Sequence, residues 1–316
     1  MDFNTFYLSV GFLLAAYAVV SNDSIQTLGT FLSANESIEW WKLWLAASAV
    51  MIITLTYGWY VNGGDLAWGR LASIPFNENL NMWHVIAPAS LLVLTRFGVP
   101  VSTTFLVLSV FAQKSVVEAM ILKSVLGYAV AGVAAFALWF LISKFINEHH
   151  HIGTDREKKF WRWAQWIGTG FLWSTWLMHD MANIAVYLPR VMDVTTLIIV
   201  LGILTTFLGY IFWSNGGKIQ DIVLSKTGTR YVRSATIINF IFAGILYFFK
   251  ELNGIPMSTT WVFVGLLAGR ELAIAYQHKT KKQKRIVFPM LTKDFMKIMA
   301  GLAISVIIAY AAASFS

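Results

Sequence analysis

Apolar runs long enough to cross, or nearly cross, a hydrocarbon core of roughly 30 Å dominate this chain. They lie at about 5–20, 40–60, 83–97, 103–117, 120–146, 160–178, 193–213, 234–249, 257–276 and 294–314. The pattern predicts an all-α integral membrane protein of about ten helical segments. Two of the runs share one interruption: Gly98-Val99-Pro100-Val101-Ser102-Thr103-Thr104 and Gly254-Ile255-Pro256-Met257-Ser258-Thr259-Thr260. Pro lacks an amide donor, Gly costs backbone entropy, and Ser and Thr compete for backbone hydrogen bonds, so a regular helix does not continue through either stretch. Each predicts a broken or re-entrant helix pair.

The repeat extends beyond these stretches. Asn22-Asp23-Ser24-Ile25-Gln26 resembles His179-Asp180-Met181-Ala182-Asn183, each placed by the pattern at the end of the first helix of its half, and Asn62-Gly63-Gly64 matches Asn215-Gly216-Gly217. The second copies follow the first by 157, 153 and 156 residues for the aspartate, asparagine-glycine and Gly-x-Pro landmarks. Three landmarks in one order at a nearly constant offset predict a duplication, with a first repeat at 1–147, a linker at 148–159 and a second repeat at 160–316. Five apolar segments per half is an odd number, so the two repeats are expected in inverted topology. That parity survives if each interrupted pair re-enters rather than crosses.

Composition supports the membrane assignment, with 57% apolar and 13% charged residues against about 25% charged in an ordinary soluble domain. The net charge of +8 falls largely in the loops 144–162, 214–233 and 270–293, whereas the opposite loops hold only Arg70, Lys114, Lys123, Arg190 and Lys250. Positive loops face the cytoplasm, so both termini are expected outside a plasma (inner) membrane and no nucleic-acid partner is expected. The first run follows Asp2 without Lys or Arg and reads as a retained span. Zero cysteines exclude disulfides, thiolate metal sites and cysteine nucleophiles.

Broken helices in inverted repeats place a site where the halves meet, near mid-membrane. A half-helix beginning at Ser102 or Thr103, and another at Ser258 or Thr259, would offer first-turn amides without intrahelical partners, plus hydroxyls. Ser102, Thr103, Thr104, Ser258, Thr259 and Thr260 are therefore candidate anion ligands, against the plainer reading of helix caps. Asp23 and Asp180 are carboxylates within apolar surroundings, which marks them as functional. Asn22, Gln26 and Asn183 could complete an oxygen cage. Two aspartates beside an oxyanion demand cations, either hard ones such as Na⁺ or protons on the carboxylates.

These motifs resemble those of the PiT inorganic phosphate transporters over roughly residues 15–120 and 170–275. The resemblance implies inverted repeats, external termini and Na⁺- or H⁺-coupled uptake of inorganic phosphate, with some relatives carrying sulfate. By position it implies ion and substrate roles for Asp23, Gln26, Asp180 and Asn183, and anion contacts for both hydroxyl triplets. This chain carries Gln26 and His179 where that family usually has Asn, and Phe105 and Trp261 where it often has His.

The expectation is thus a secondary active transporter with no enzymatic activity, no cofactor beyond the coupling ion, and no metal beyond Na⁺ at Asp23 and Asp180. The bilayer and phosphate, or sulfate, are its partners, and a homodimer is left open. A hydrolase using His179 and Asp180 is the less favoured alternative, because neighbours on a helix point about 100° apart. A passive anion channel would not need the aspartates. Arg96 and Lys250 read as interfacial side chains, His149 to His151 as a solvated linker, and Lys279 to Arg285 as a cytoplasmic anchor.

Overall fold

The computed structural model describes residues 3–77, 79–97, 101–142, 155–216, 232–252, 256–277 and 281–314. Among them the fold is all helical. In the first half, α1 (Phe3–Ala18) runs through a π turn (Val19–Asp23) into α2 (Ser24–Ala34). Then come α3 (Trp40–Val61), α4 (Trp83–Arg96), a second π turn (Thr104–Leu108) and α5 (Lys114–Ile142). The second half holds α6 (Asp155–Asp180), the single turn α7 (Ala182–Ala185), α8 (Val194–Trp213), α9 (Val232–Leu252), α10 (Thr259–Gln277) and α11 (Lys281–Ser314). Among the described residues, five helical stretches are long and apolar enough to cross a membrane: Phe3–Ala34, Trp40–Val61, Lys114–Leu141, Val194–Trp213 and Val287–Ser314. The architecture is that of a multi-pass membrane protein.

Three boundaries differ from the hydrophobic pattern. The first run does not stop near residue 20, because Asn22 and Asp23 are taken into the π turn, Ser24 opens α2, and the helix continues to Ala34. Asp23 therefore sits in the middle of a helical rod. The run at 103–117 yields only a short turn ending at Leu108, and α5 begins afresh at Lys114, where Gln113 accepts from the amides of Val116 and Val117. At about 1.5 Å per residue, neither that turn nor the 14 residues of α4 spans the hydrocarbon core, as expected of a re-entrant pair. Lys114 and Lys123 accordingly belong to α5 rather than to a loop. The last helix also starts earlier than the apolar run at 294, and takes in Lys281 to Arg285. Gly98 to Pro100, Gly254, Ile255, Gly217, His149 to His151 and most of the linker expected at 148–159 lie outside the described residues.

Asn-Gly follows the end of a helix in both halves. Asn62 closes α3 and Gly63 and Gly64 take φ of 62° and 99°, while Asn215 and Gly216 take 53° and 81° after α8. This left-handed conformation is easy for glycine and tolerated by asparagine. The packing of elements also comes in counterparts. Helix α1 packs on α4 as α6 packs on α9, and α3 packs on α6 as α8 packs on the first π turn. Likewise α10 packs on α5, as the second π turn packs on α11. The core runs between the halves. There Trp173 and Trp176 stack with ring centroids 5.0 Å apart, and Trp173 Nε1 donates to the Ala47 carbonyl at 3.0 Å. A buried polar seam ties α2, α6 and α9 together. Thr30 donates to Asn239 at 3.3 Å, Asn239 to Thr169 at 2.9 Å, and Asn35 to Gln165 at 3.1 Å. Buried polar groups paired in this way avoid the desolvation cost that isolated ones would carry in lipid.

Candidate functional site

Each hydroxyl triplet divides its work by position. Ser102 Oγ accepts from the Phe105 amide at 3.3 Å, and Ser258 Oγ accepts from the Trp261 amide at 3.2 Å. Both serines are thus N-caps, the role their residue type favours, and each satisfies the third amide of its turn. The first intrahelical bonds, Leu106 to the Ser102 carbonyl and Val262 to the Ser258 carbonyl, confirm where the helices start. The remaining early amides, on Thr103 and Thr104 and on Thr259 and Thr260, have no carbonyl available a turn earlier in their own helix.

The second residue of each triplet bonds the aspartate of its own half. Thr103 Oγ1 donates to Asp23 Oδ2, and Thr259 Oγ1 donates to Asp180 Oδ2 at 2.7 Å. The third residue meets the amide side chain of the other half. Gln26 Nε2 donates to Thr260 Oγ1 at 3.2 Å, and Asn183 Nδ2 reaches Thr104 Oγ1 at 3.4 Å. Thr104 in turn donates to the Met257 carbonyl at 3.3 Å. Residues from four distant parts of the chain therefore converge, and the Gln26–Thr260 and Asn183–Thr104 contacts are counterparts across the halves. Asp23, Asp180, Asn22, Asn183 and all six triplet residues are buried. Asn183 also donates to Asp180 Oδ1 at 2.9 Å, which sets its amide orientation, because nitrogen must face the carboxylate. Its Oδ1, the Oε1 of Gln26 and the Nδ2 of Asn22 are buried without a partner among the described residues. Two of these are acceptors and one is a donor, the complement needed for a cation and an anion side by side.

The residues that follow the triplets close the site with aromatic rings. Phe105 and Trp261 are buried and meet edge to face, 5.8 Å apart. They offer no hydrogen-bonding group of histidine type at that place. Thus ten of the eleven predicted site residues come together in one cluster, the two serines as caps, and Asn22 is buried next to Asp23 in the π turn.

The structure adds a residue that the pattern did not select. Arg70 comes from the turn between α3 and α4, where Asp65 accepts from the amides of Ala67 and Gly69 at 2.7 and 2.6 Å and Trp68 and Gly69 take positive φ. This turn drives the Arg70 side chain inward, where it is only 1% exposed. Its Nε donates to the Met178 carbonyl at 2.7 Å. Its Nη2 lies 3.5 Å from Nε2 of His179, and its Nη1 has no partner among the described residues. His179 Nε2 is also 2.7 Å from the Leu246 carbonyl. A carbonyl only accepts, so Nε2 carries the hydrogen and the Arg70 contact is an approach of two donors. The imidazole is therefore engaged with α9, while the guanidinium is held at the Met178 carbonyl, two residues before Asp180 in the chain.

No family model matches this chain, and no curated protein does. Among solved structures the chain is similar to one described as the sodium-dependent phosphate transporter, with a TM-score of 0.66 over 98% of this chain and 99% of that one, at 16% identity. Likeness over the whole of both chains at so low an identity establishes a common fold.

Proposed function

We propose that this chain is a secondary active transporter of the PiT type that carries inorganic phosphate together with Na⁺. The observation that carries the reading is the buried cluster in which two hydroxyl triplets and two aspartates bond reciprocally. An oxyanion suits hydroxyl donors and early helix amides. Two buried carboxylates beside it require positive charge, which a co-transported cation supplies. The solved structure of similar fold is described as sodium-dependent and as a phosphate transporter, which supports Na⁺ over protons and phosphate over sulfate.

The reciprocal contacts also support two inverted repeats, since a twofold relation would generate this paired scheme. With the basic loops cytoplasmic, the termini face outward from a plasma membrane. Transport is favoured over hydrolysis by the engagement of His179 with a main-chain carbonyl, which leaves no acid–base pair with Asp180. Uptake of labelled phosphate and sulfate into proteoliposomes, under separate Na⁺ and proton gradients, tests the reading. Phosphate accumulation driven by Na⁺ alone is the expected result. Equal uptake with and without either gradient would sink it.

A further inference from the structure

Away from the cluster of triplets and aspartates, a cavity of about 430 Å³ lies where α10 and α11 meet α5. Its lining is in part apolar, from residues such as Val264 and Leu267 of α10. The rest is charged, with Arg270, Lys293 and Lys297 against Glu271 and Asp294, a surplus of positive charge. Arg270 is fixed in that lining. Its Nη1 pairs with Glu271 at 3.2 Å, and its guanidinium lies 5.1 Å over the Trp139 ring. Lys293 and Lys297 stand one turn apart on α11 and line the same cavity, and like charges at that spacing repel. An anion between them turns the repulsion into attraction.

The cavity also has a definite depth. Helix α10 starts in the central cluster near mid-membrane, and Arg270 follows Thr259 by about three turns, or about 17 Å. Lys297 stands about 26 Å from the far end of α11 at Ser314. Against a hydrocarbon core of roughly 30 Å, both measures put the charged lining at one edge of the core, where headgroup phosphates lie. Val264 and Leu267 precede Arg270 on α10 and are buried, so the apolar lining reaches toward the depth of acyl chains. Lys281, Lys282, Lys284 and Arg285 open α11 on the same side of the membrane. A basic edge of this kind belongs to the cytoplasmic leaflet, where anionic lipids gather.

We propose that this cavity binds one anionic phospholipid of the cytoplasmic leaflet. Lys293 and Lys297 hold its phosphate, with Arg270 as a fixed third cation, and Val264 and Leu267 take the start of its chains. A free anion would use the lysines and leave the apolar lining wet, whereas a lipid covers both. The two carboxylates set the strength, because they offset all but a small part of the positive charge.

The test is binding of radiolabelled dioctanoyl phosphatidylglycerol to the purified full-length chain in a non-ionic detergent at constant ionic strength. The wild type is expected to bind it saturably, and the phosphatidylcholine and phosphatidylethanolamine analogues should displace it at least tenfold more weakly than unlabelled phosphatidylglycerol does. The double variant Lys293→Gln with Lys297→Gln should bind at least tenfold more weakly, and Lys293→Arg with Lys297→Arg should stay within about threefold of the wild type. Asp294→Asn should tighten binding about threefold, a gain that misfolding does not produce. Lys114→Gln with Lys158→Gln, which removes exposed lysines elsewhere, should change nothing. Equal displacement by the zwitterionic analogues, or an equal loss in that second pair, would overturn the site. Displacement by inorganic phosphate at the concentration that works for phosphatidylglycerol would give the lysines to a free anion and overturn the lipid. The readout involves no transport, so its failure would leave the phosphate reading standing.

Discussion

Ser102-Thr103-Thr104 leads into one π turn that stops at Leu108, whereas Ser258-Thr259-Thr260 leads into a helix of 19 residues. The longer helix is held against α5 with almost no space between backbones. A Cβ built on Gly265 would lie 2.3 Å from the Tyr128 carbonyl oxygen, and one on Gly269 would lie 1.9 Å from that of Gly132. Two glycines four residues apart therefore let the helices touch along their main chains, the arrangement that favours helix association in lipid. No such pair exists in the segment 103–108. The duplication thus repeats the atoms that touch the aspartates while giving them unequal support. The second triplet stands on a long, backbone-anchored helix whose aligned peptide dipoles favour an anion at its start. The first stands on a single turn.

That contrast can be broken most severely at Gly269. Gly269→Leu should cost at least about 3 kcal/mol and abolish a monodisperse folded peak in detergent, because the obstructing atom is backbone and cannot rotate aside. Gly202→Ala in α8, where a new Cβ would meet nothing within 4 Å, should instead be neutral or raise stability by up to about 1 kcal/mol through helix propensity. Equal losses in both would refute the close-packed reading. The next effect lies at the carboxylates. Thr103→Val removes the hydroxyl bonded to Asp23 and should raise the KM for Na⁺ in phosphate uptake by about 10–100-fold, the range for a hydrogen bond to a charged group. Thr259→Val should do less, since Asn183 still donates to Asp180.

Smaller effects separate the caps. Ser258→Ala should lower stability by about 1 kcal/mol, and Ser102→Ala by less, because the cap of a long helix secures more ordered chain. Thermal unfolding in detergent compares them. The same contrast recurs at the starts of α3 and α8. Glu39 makes no cap bond, while Asp193 accepts from the Thr196 amide at 3.1 Å. The Thr196 hydroxyl and amide hold the Asp193 carboxyl below the usual carboxylate range. Its contribution is therefore present above the unfolded pKa and fades as pH falls through the lower folded value. Asp193→Asn should lessen the loss of thermal stability on acidification below about pH 4.

Much of the site was legible because its chemistry sits in contiguous motifs. Three consecutive hydroxyls and a lone aspartate in an apolar run break the pattern wherever they occur, and their repetition pairs them. Gly265 and Gly269 stand four apart in the sequence, but their close approach to Tyr128 and Gly132 emerges only in three dimensions. Arg70 was not legible. It meets Met178 and His179 across more than a hundred positions, and a charged residue between two apolar runs reads as a solvated loop. The signal that places it is the Asp65-to-Gly69 turn, whose effect on side-chain direction is visible only in three dimensions. The first rod was cut short for a related reason. Asn22, Asp23 and Ser24 look like a stop, yet Ile25, Leu28, Phe31 and Leu32 continue an apolar face beyond them.

The meeting of Phe105 and Trp261 gives the protein an optical handle. The indole of Trp261 belongs to the residue directly after Thr260, and it is buried against Phe105 with Tyr128 at 6.5 Å. Its excited state is sensitive to the field of nearby charges, and ions arriving at the triplets would be among the nearest. A change in tryptophan emission on adding Na⁺ or phosphate, absent in Trp261→Phe, would make the occupancy of the site readable in real time without any label.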